Sequence, residues 1–193
     1  MALNVIMMGP PGAGKGTQAG RFARERGLLK ISTGDILREG FKENLPVALR
    51  AKELMDRGEL VDDATMIAIV RDRLMRPDAK RGFVLDGFPR TVPQAEALDT
   101  MLDEIGKPLD AVILLQVSDD VATERLRERA AKEGRADDSP EGIANRLRQY
   151  HELTELVVDR YQQAGIEVIV DGEQTMDVVF AAIQDALEGV TAR

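Results

Sequence analysis

Residues Gly9-Pro10-Pro11-Gly12-Ala13-Gly14-Lys15-Gly16-Thr17 gather four glycines, a lysine and a hydroxyl within nine positions. The apolar run Leu3–Met8 precedes them and a helical pattern follows, so the segment reads as strand, glycine-rich turn, helix start. Such a turn can hold phosphate. Glycine lets the main chain wrap closely around the oxygens, the N–H groups of the loop and first helical turn aim at the anion, and Lys15 adds a mobile positive charge. A glycine-rich turn without a ligand is the alternative, but the lysine in place and the preceding strand favour a bound nucleotide. The general pattern puts Ser or Thr directly after the lysine. Here that position is Gly16 and the hydroxyl belongs to Thr17. A Mg²⁺ ion would therefore rest more on phosphates and water.

Phosphoryl transfer needs charge neutralisation and alignment more than a proton-transferring base. Arginine supplies both, because its planar fork grips phosphate bidentately. Arg125 and Arg129 are four apart and share a helix face. Arg135 lies in the polar stretch that follows, and Arg146 on the next helical pattern. Arg38 follows Ser32-Thr33-Gly34-Asp35, and Arg90 closes Asp86-Gly87-Phe88-Pro89-Arg90. Any one of these is more often a surface ion-pair partner than a ligand. Their grouping at loops and strand ends points to phosphate.

Asp86 follows the apolar Phe83-Val84-Leu85. An acid at a strand's carboxyl end borders the crevice where open α/β sheets bind ligands, so Asp86 is a candidate partner for Mg²⁺ through water. A turn-forming aspartate is the alternative. Asp137 and Asp138 are either solvated loop charges or braces for the arginines around them. His151, the only histidine, falls inside a long helical pattern and is read as a packing or surface residue. No serine–histidine–acid set and no catalytic carboxylate pair is discernible.

The 193 residues suit one domain with small insertions. A net charge of −8, 4% aromatic content and no Trp argue against nucleic-acid and anionic-membrane partners. The absence of cysteine removes disulfides and thiolate metal sites. No long apolar run and no secretory signal is visible, so cytoplasmic residence and a monomer are the expectations.

These residues need a scaffold that presents them at strand ends. Strands are expected at Leu3–Met8, Leu28–Ile31, Phe83–Leu85, Ala111–Val117 and Ile166–Val170, each buried on both faces and alternating with helices. Ser32 with Asp35 forms a capping signal, Pro93 and Pro140 sit where a first helical residue would, and Gly27, Gly106 and Gly165 fall just past helical runs. A long helix is expected from Pro140 to Ala164, with Ile143, Leu147, Tyr150, Leu153, Leu156, Val157 and Tyr161 on its apolar side. This alternation implies a doubly wound α/β fold with a parallel sheet. Two stretches interrupt it. Ser32–Val61 reads as helix, break at Asn44-Leu45-Pro46, and helix, whereas Glu128–Asp138 reads as a polar loop around Gly134. Both look like insertions able to close over a site.

The Gly-Lys-Gly-Thr ending is similar to that of nucleoside monophosphate kinases. Over essentially its whole length the chain resembles the adenylate kinases. The residues carrying this are Gly9–Thr17 with Gln18, Ile31–Arg38, Gly58-Glu59-Leu60-Val61, Asp86–Arg90 with Thr91 and Gln94, Arg125 to Arg129, Gly134–Asp138, Arg146 and Asp171-Gly172. The resemblance implies a P-loop nucleoside monophosphate kinase fold with a five-stranded sheet and two small mobile insertions, and the reaction ATP + AMP ⇌ 2 ADP with Mg²⁺. It implies a core of residues 1–31, 62–127 and 139–193, an AMP-binding insertion at 32–61, and a short lid at 128–138.

Carried over, Gly12, Ala13, Gly14, Lys15, Gly16 and Thr17 would hold ATP phosphates, with Arg125 and Arg129 engaging ATP and Gly172 to Gln174 meeting its adenine. Thr33, Arg38, Glu59, Leu60, Val61, Gly87, Phe88, Pro89, Arg90 and Gln94 would form the AMP site. Arg135 and Arg146 would grip phosphates between the nucleotides, and Thr17 and Asp86 would attend Mg²⁺. The short lid lacks Cys and His, so the family's zinc site is not expected. A uridylate or cytidylate kinase on the same fold, or an ATP-binding switch without catalysis, are the alternatives. Thr33 and Gln94 favour AMP over the first, since an amide offers donor and acceptor together to a base edge.

Overall fold

The computed structural model describes residues 3–191; residues 1–2 and 192–193, the tips of the expected core segments, lie outside it. Five strands form one wholly parallel sheet: β1 (Leu3–Met8), β2 (Leu29–Ser32), β3 (Gly82–Asp86), β4 (Ala111–Gln116) and β5 (Glu167–Asp171). Their order across the sheet is β2-β3-β1-β4-β5, so chain direction across the sheet reverses beside β1 and β3. Ligands of doubly wound sheets sit at such a reversal, outside the carboxyl ends of the strands. Met7 of β1 pairs with Asp86 of β3, which sets the end of β3 beside the loop that leaves β1.

Alternation along the strands divides the core between two faces. Leu3, Val5 and Met7 of β1 join Val84, Ile113 and Leu115 under α1 (Lys15–Arg26) and α9 (Met176–Thr191). Ile6 and Met8 join Phe83, Leu85, Val112 and Leu114 on the opposite face. That face is covered by α4 (Asp63–Leu74), α5 (Val92–Glu104) and α8 (Glu155–Gln163), which supply Val70, Leu98 and Val157. The central strands are buried on both sides, as expected. The edge strand β5 is not: Ile169 is 51% exposed, because no second neighbour covers that edge.

The insertion after β2 holds two helices and no strand, with α2 (Thr33–Lys42) and α3 (Pro46–Asp56) packed together. Ser32 caps α2 by accepting from the Asp35 N–H at 3.3 Å, and Asn44 takes φ 56° at the break. The stretch expected as loop from Glu128 is instead the last part of α6 (Asp119–Glu133). Alanines and a Glu128–Lys132 pair four residues apart support that helix, and left-handed Gly134 ends it. A 3₁₀ turn at Ala136–Asp138 then leads into α7 (Pro140–Gln149), which starts at Pro140 behind a Ser139 cap. Pro93 stands second rather than first in α5, whose cap is Thr91.

The expected long helix divides at a π-helical turn, Tyr150–Thr154, between α7 and α8. Its buried stripe runs Ile143, Leu147, Thr154, Val157 and Tyr161. Leu153 and Leu156 fall one position off this spacing and are exposed, contrary to expectation.

Candidate active site

The loop from Gly9 to Gly14 turns sharply out of β1, with left-handed glycines at 9, 12 and 14. A side chain on Gly9 or Gly12 would come within 2.5 Å of the carbonyl oxygen of Leu115 or Ala122. Those positions therefore demand glycine for space as well as for conformation. The loop delivers the N-terminus of α1, where N–H groups and the helix dipole attract anions.

Lys15 folds back over this loop and donates from Nζ to the carbonyls of Gly9 and Pro10, both at 2.7 Å. Part of its surface is accessible, yet the ammonium lies deep among protein atoms. Loss of bulk water lowers its pKa to about 7; Asp86 opposes this, and the charges of Arg90, Arg146 and Arg129 reinforce it. Asp86 sits with one carboxylate oxygen 3.2 Å from where a Cβ on Gly16 would stand. That proximity gives the glycine after Lys15 a physical reason.

The loop forms the floor of a cleft of about 670 Å³. Gly12 to Thr17, Arg38, Glu59, Leu60, Asp86 to Arg90, Arg125, Arg129, Arg135, Arg146, Gly172 and Gln174 all line it. Eight cationic side chains thus share one space: Lys15, Lys30, Arg38, Arg90, Arg125, Arg129, Arg135 and Arg146. Arg125 donates to the Gly172 carbonyl at 2.8 Å, fixing the segment after β5 against α6.

Asp137 and Asp138 are braces, not solvated loop charges. The Asp138 carboxylate is fully buried and takes both arms of Arg129 at 2.6 and 2.7 Å and one arm of Arg146 at 2.7 Å. Asp137 takes the fork of Arg135 at 3.0 and 2.7 Å and lies 3.2 Å from Arg146. Burial would raise Asp137, but the Arg135 hydrogen bond, Arg146 and Arg129 hold it below its ordinary value. Burial lowers Arg146, and burial also lowers Arg90, which lies near Asp86. On the opposite wall, burial would raise Asp35, but the Arg38 contact at 2.5 Å and nearby Lys30 bring it to about 2.

Of the expected site residues, Thr33, Val61, Gln94 and, between Gly172 and Gln174, Glu173 do not line the cleft. Thr33 is buried and turns its hydroxyl to the Gly87 carbonyl at 3.0 Å. Val61 packs into the core. Gln94 is 2% exposed; its Nε2 donates to Asp63 Oδ1 at 2.8 Å and its Oε1 accepts from the Arg90 N–H at 2.8 Å. A carboxylate can only accept and a main-chain N–H can only donate, so these neighbours leave one orientation for the amide. Cleft residues missed in the sequence include Gln149, Tyr150 and Thr154 of the α7–α8 junction. Thr154 carried one signal: it is polar on an apolar stripe.

His151 lies outside the cleft wall, exposed between Glu155 and Asp119. No helix among the described residues is long and apolar enough to cross a membrane. No cluster of three or more acidic, histidine or cysteine side chains among them could hold a metal ion. The donor set at the loop is one carboxylate, Asp86, and one hydroxyl, Thr17, which fits an ion arriving with its own phosphate and water ligands.

A family model described as adenylate kinase matches residues 7–166. The chain belongs to the adenylate kinase family. It is 47% identical to the adenylate kinase of Micrococcus luteus over 96% of this chain and 91% of that one. It is 44% identical to that of Caulobacter vibrioides over 98% and 100%, and 42% identical to that of Methanosarcina barkeri over 96% and 99%.

Proposed function

We propose that this chain transfers the terminal phosphoryl group of Mg–ATP to AMP, giving two ADP. The observation that carries the reading is the convergence of Lys15 and six arginines on one cleft, reached from both sides of the phosphate loop. One nucleotide does not need so many cations; two phosphate chains meeting end to end do. A nucleotide switch with one site would leave Arg38 and Arg90 surplus.

In this reading the loop residues 12–17 and Lys15 hold the ATP phosphates, and Arg125 and Arg129 the ATP side. Arg38 and Arg90 hold the AMP phosphate, and Arg135 and Arg146 lie against the transferred group. Transfer concentrates charge on the oxygens between donor and acceptor, where preorganised guanidinium and ammonium groups stabilise the transition state more than the ground state. Mg²⁺ belongs to the ATP substrate; Asp86 and Thr17 would orient its water shell. Residues 32–61 act as the AMP-side insertion and 128–138 as the lid, over a core of the remaining segments. The approach of α3 to the 136–138 turn, with Asn145 donating to the Arg57 carbonyl at 3.0 Å, supports contact between these parts when the cleft is covered. Covering the cleft keeps water from the phosphoryl group.

Base choice rests on Gln94. An amide has two N–H groups and two lone pairs, and the bonds to Asp63 and Arg90 use one of each. One donor and one acceptor remain for an adenine edge once AMP draws the pocket open. Coupled detection of ADP from ATP with AMP, UMP, CMP or GMP tests the reading. AMP is expected to lead by about ten- to a hundredfold in kcat/KM. Equal use of AMP and UMP would give the site to a pyrimidine nucleotide, and ATP binding without ADP formation would make the chain a switch.

A further inference from the structure

Arg90 is pinned through its main chain from two directions. Its N–H donates to Gln94 Oε1, whose amide is oriented by Asp63. Its carbonyl accepts from the Thr154 hydroxyl at 3.1 Å. Its side chain donates from Nε to the Gly87 carbonyl at 2.9 Å, which leaves the two terminal nitrogens of the fork for a ligand.

Thr154 is an unusual partner. A threonine hydroxyl in a helix commonly bonds back to the carbonyl four residues earlier. Here the hydroxyl reaches a loop 64 positions away in sequence. It can do so because the chain passes through the π-helical turn Tyr150–Thr154, whose wider ring changes how side chains leave the helix. Thr154 is 8% exposed and borders the cleft, on the same continuous helical segment as Arg146. The hydroxyl therefore ties the loop that carries Arg90 to the helix that carries Arg146.

We infer that Thr154 is a positioning residue that sets the placement of Arg90 relative to Arg146 through the Arg90 carbonyl. It touches no substrate. The inference rests on the reading of Arg90 as a phosphate-gripping group. Transfer depends on both guanidinium groups meeting charge that exists only between donor and acceptor, and small misplacement of such groups lowers turnover steeply.

The experiment compares Thr154→Val, which keeps shape and removes the hydroxyl, with Thr154→Ser, which keeps the hydroxyl, both alone and in an Arg90→Ala background. Steady-state rates and thermal unfolding are measured for each full-length protein. Thr154→Val is expected to lower kcat about ten- to a hundredfold while KM for ATP stays within about twofold. Thr154→Ser is expected to recover most of that loss, and Thr154→Val to add little once Arg90 is alanine. Near-normal kcat in Thr154→Val would overturn the inference while leaving the function standing. So would a serine variant no better than valine, or a loss that adds in full on Arg90→Ala. A fully active Arg90→Ala would remove the reading of Arg90 itself, and the inference with it.

Discussion

The loop at residues 9–17 and the turn at 135–138 both border one cleft, but they are built by opposite means. The loop is main chain. Its shape comes from glycines backed against the Leu115 and Ala122 carbonyls, so the sheet and α6 hold it, and its one side-chain partner is its own Lys15. The arginine cluster is side chain. Three guanidinium groups are organised by two aspartates, one of them fully out of water. Buried carboxylates hold cations firmly only while every partner is present. The loop should therefore tolerate loss of its one cation as a fold and fail only as a catalyst, whereas the cluster should fail in stability as well.

Lys15→Met is the largest expected effect. Removing the ammonium takes away charge needed most in the transition state and two hydrogen bonds to the Gly9 and Pro10 carbonyls, but leaves the glycines packed against Leu115 and Ala122. Turnover should fall about a hundred- to a thousandfold with the melting temperature little changed, or raised by relief of a desolvated charge. A variant that turns over normally would remove Lys15 from the chemistry; one that unfolds would erase the contrast with the cluster.

Asp138→Asn is the matching test on the other side. It leaves Arg129 and Arg146 facing each other without the carboxylate between them. Unfolding in urea should show a loss of about 3 kcal/mol, alongside lower activity. Unchanged stability would mean that the arginines are held by something other than Asp138.

The same contrast explains what could be read from sequence. A phosphate loop is local: nine consecutive residues, a strand before and a helix after carry all of it. Strand positions followed from apolar runs, although Ile169 on the uncovered edge of β5 breaks the pattern. Lys15 and the six arginines of the cleft could be named because arginines gathered at loops and strand ends are conspicuous. Who holds them could be named only in part: Asp137 and Asp138 stood beside the arginines as possible braces, but Thr154 meets Arg90 across 64 positions. Glu128–Glu133 reads as loop because charge on an exposed helix looks like charge on a loop. Gln94 comes to the AMP site through the resemblance, and nothing local shows that its engaged amide depends on Asp63, which lies on another helix.

A third test sharpens the electrostatics of the loop. Lys15 in the free protein has a pKa lowered to about 7, chiefly by burial, so above that pH it is mostly neutral. Phosphates restore the advantage of the charged form, and binding must draw a proton. Calorimetry of ATP binding at pH 8, in buffers of different ionisation enthalpy, should reveal uptake of close to one proton per site. Affinity should be highest below pH 7 and weaken as pH rises. Uptake that persists in Lys15→Met would assign the proton elsewhere.

The smallest effect isolates what burial adds to carboxylate bracing. His151 on the π turn has Nδ1 2.8 Å from Glu155 and Nε2 2.9 Å from Asp119, much as Asp138 joins two arginines, but in solvent. Both ring nitrogens can donate only in the imidazolium, and the hydrogen bonds to Glu155 and Asp119 raise its pKa. A folded pKa above the unfolded one means that the contribution is full below about pH 6.5 and disappears as pH rises through the folded value. Because the imidazole is 43% exposed, screening should keep that contribution under about 1 kcal/mol. Urea unfolding of wild type and His151→Gln at pH 5.5 and 8.5 measures it. The wild type should lead slightly at the lower pH and lose that lead at the higher one, with turnover equal in both. A loss as large as that of Asp138→Asn would mean that bracing by two partners matters more than removal from water, and the contrast between loop and cluster would have to be redrawn on geometry instead of burial.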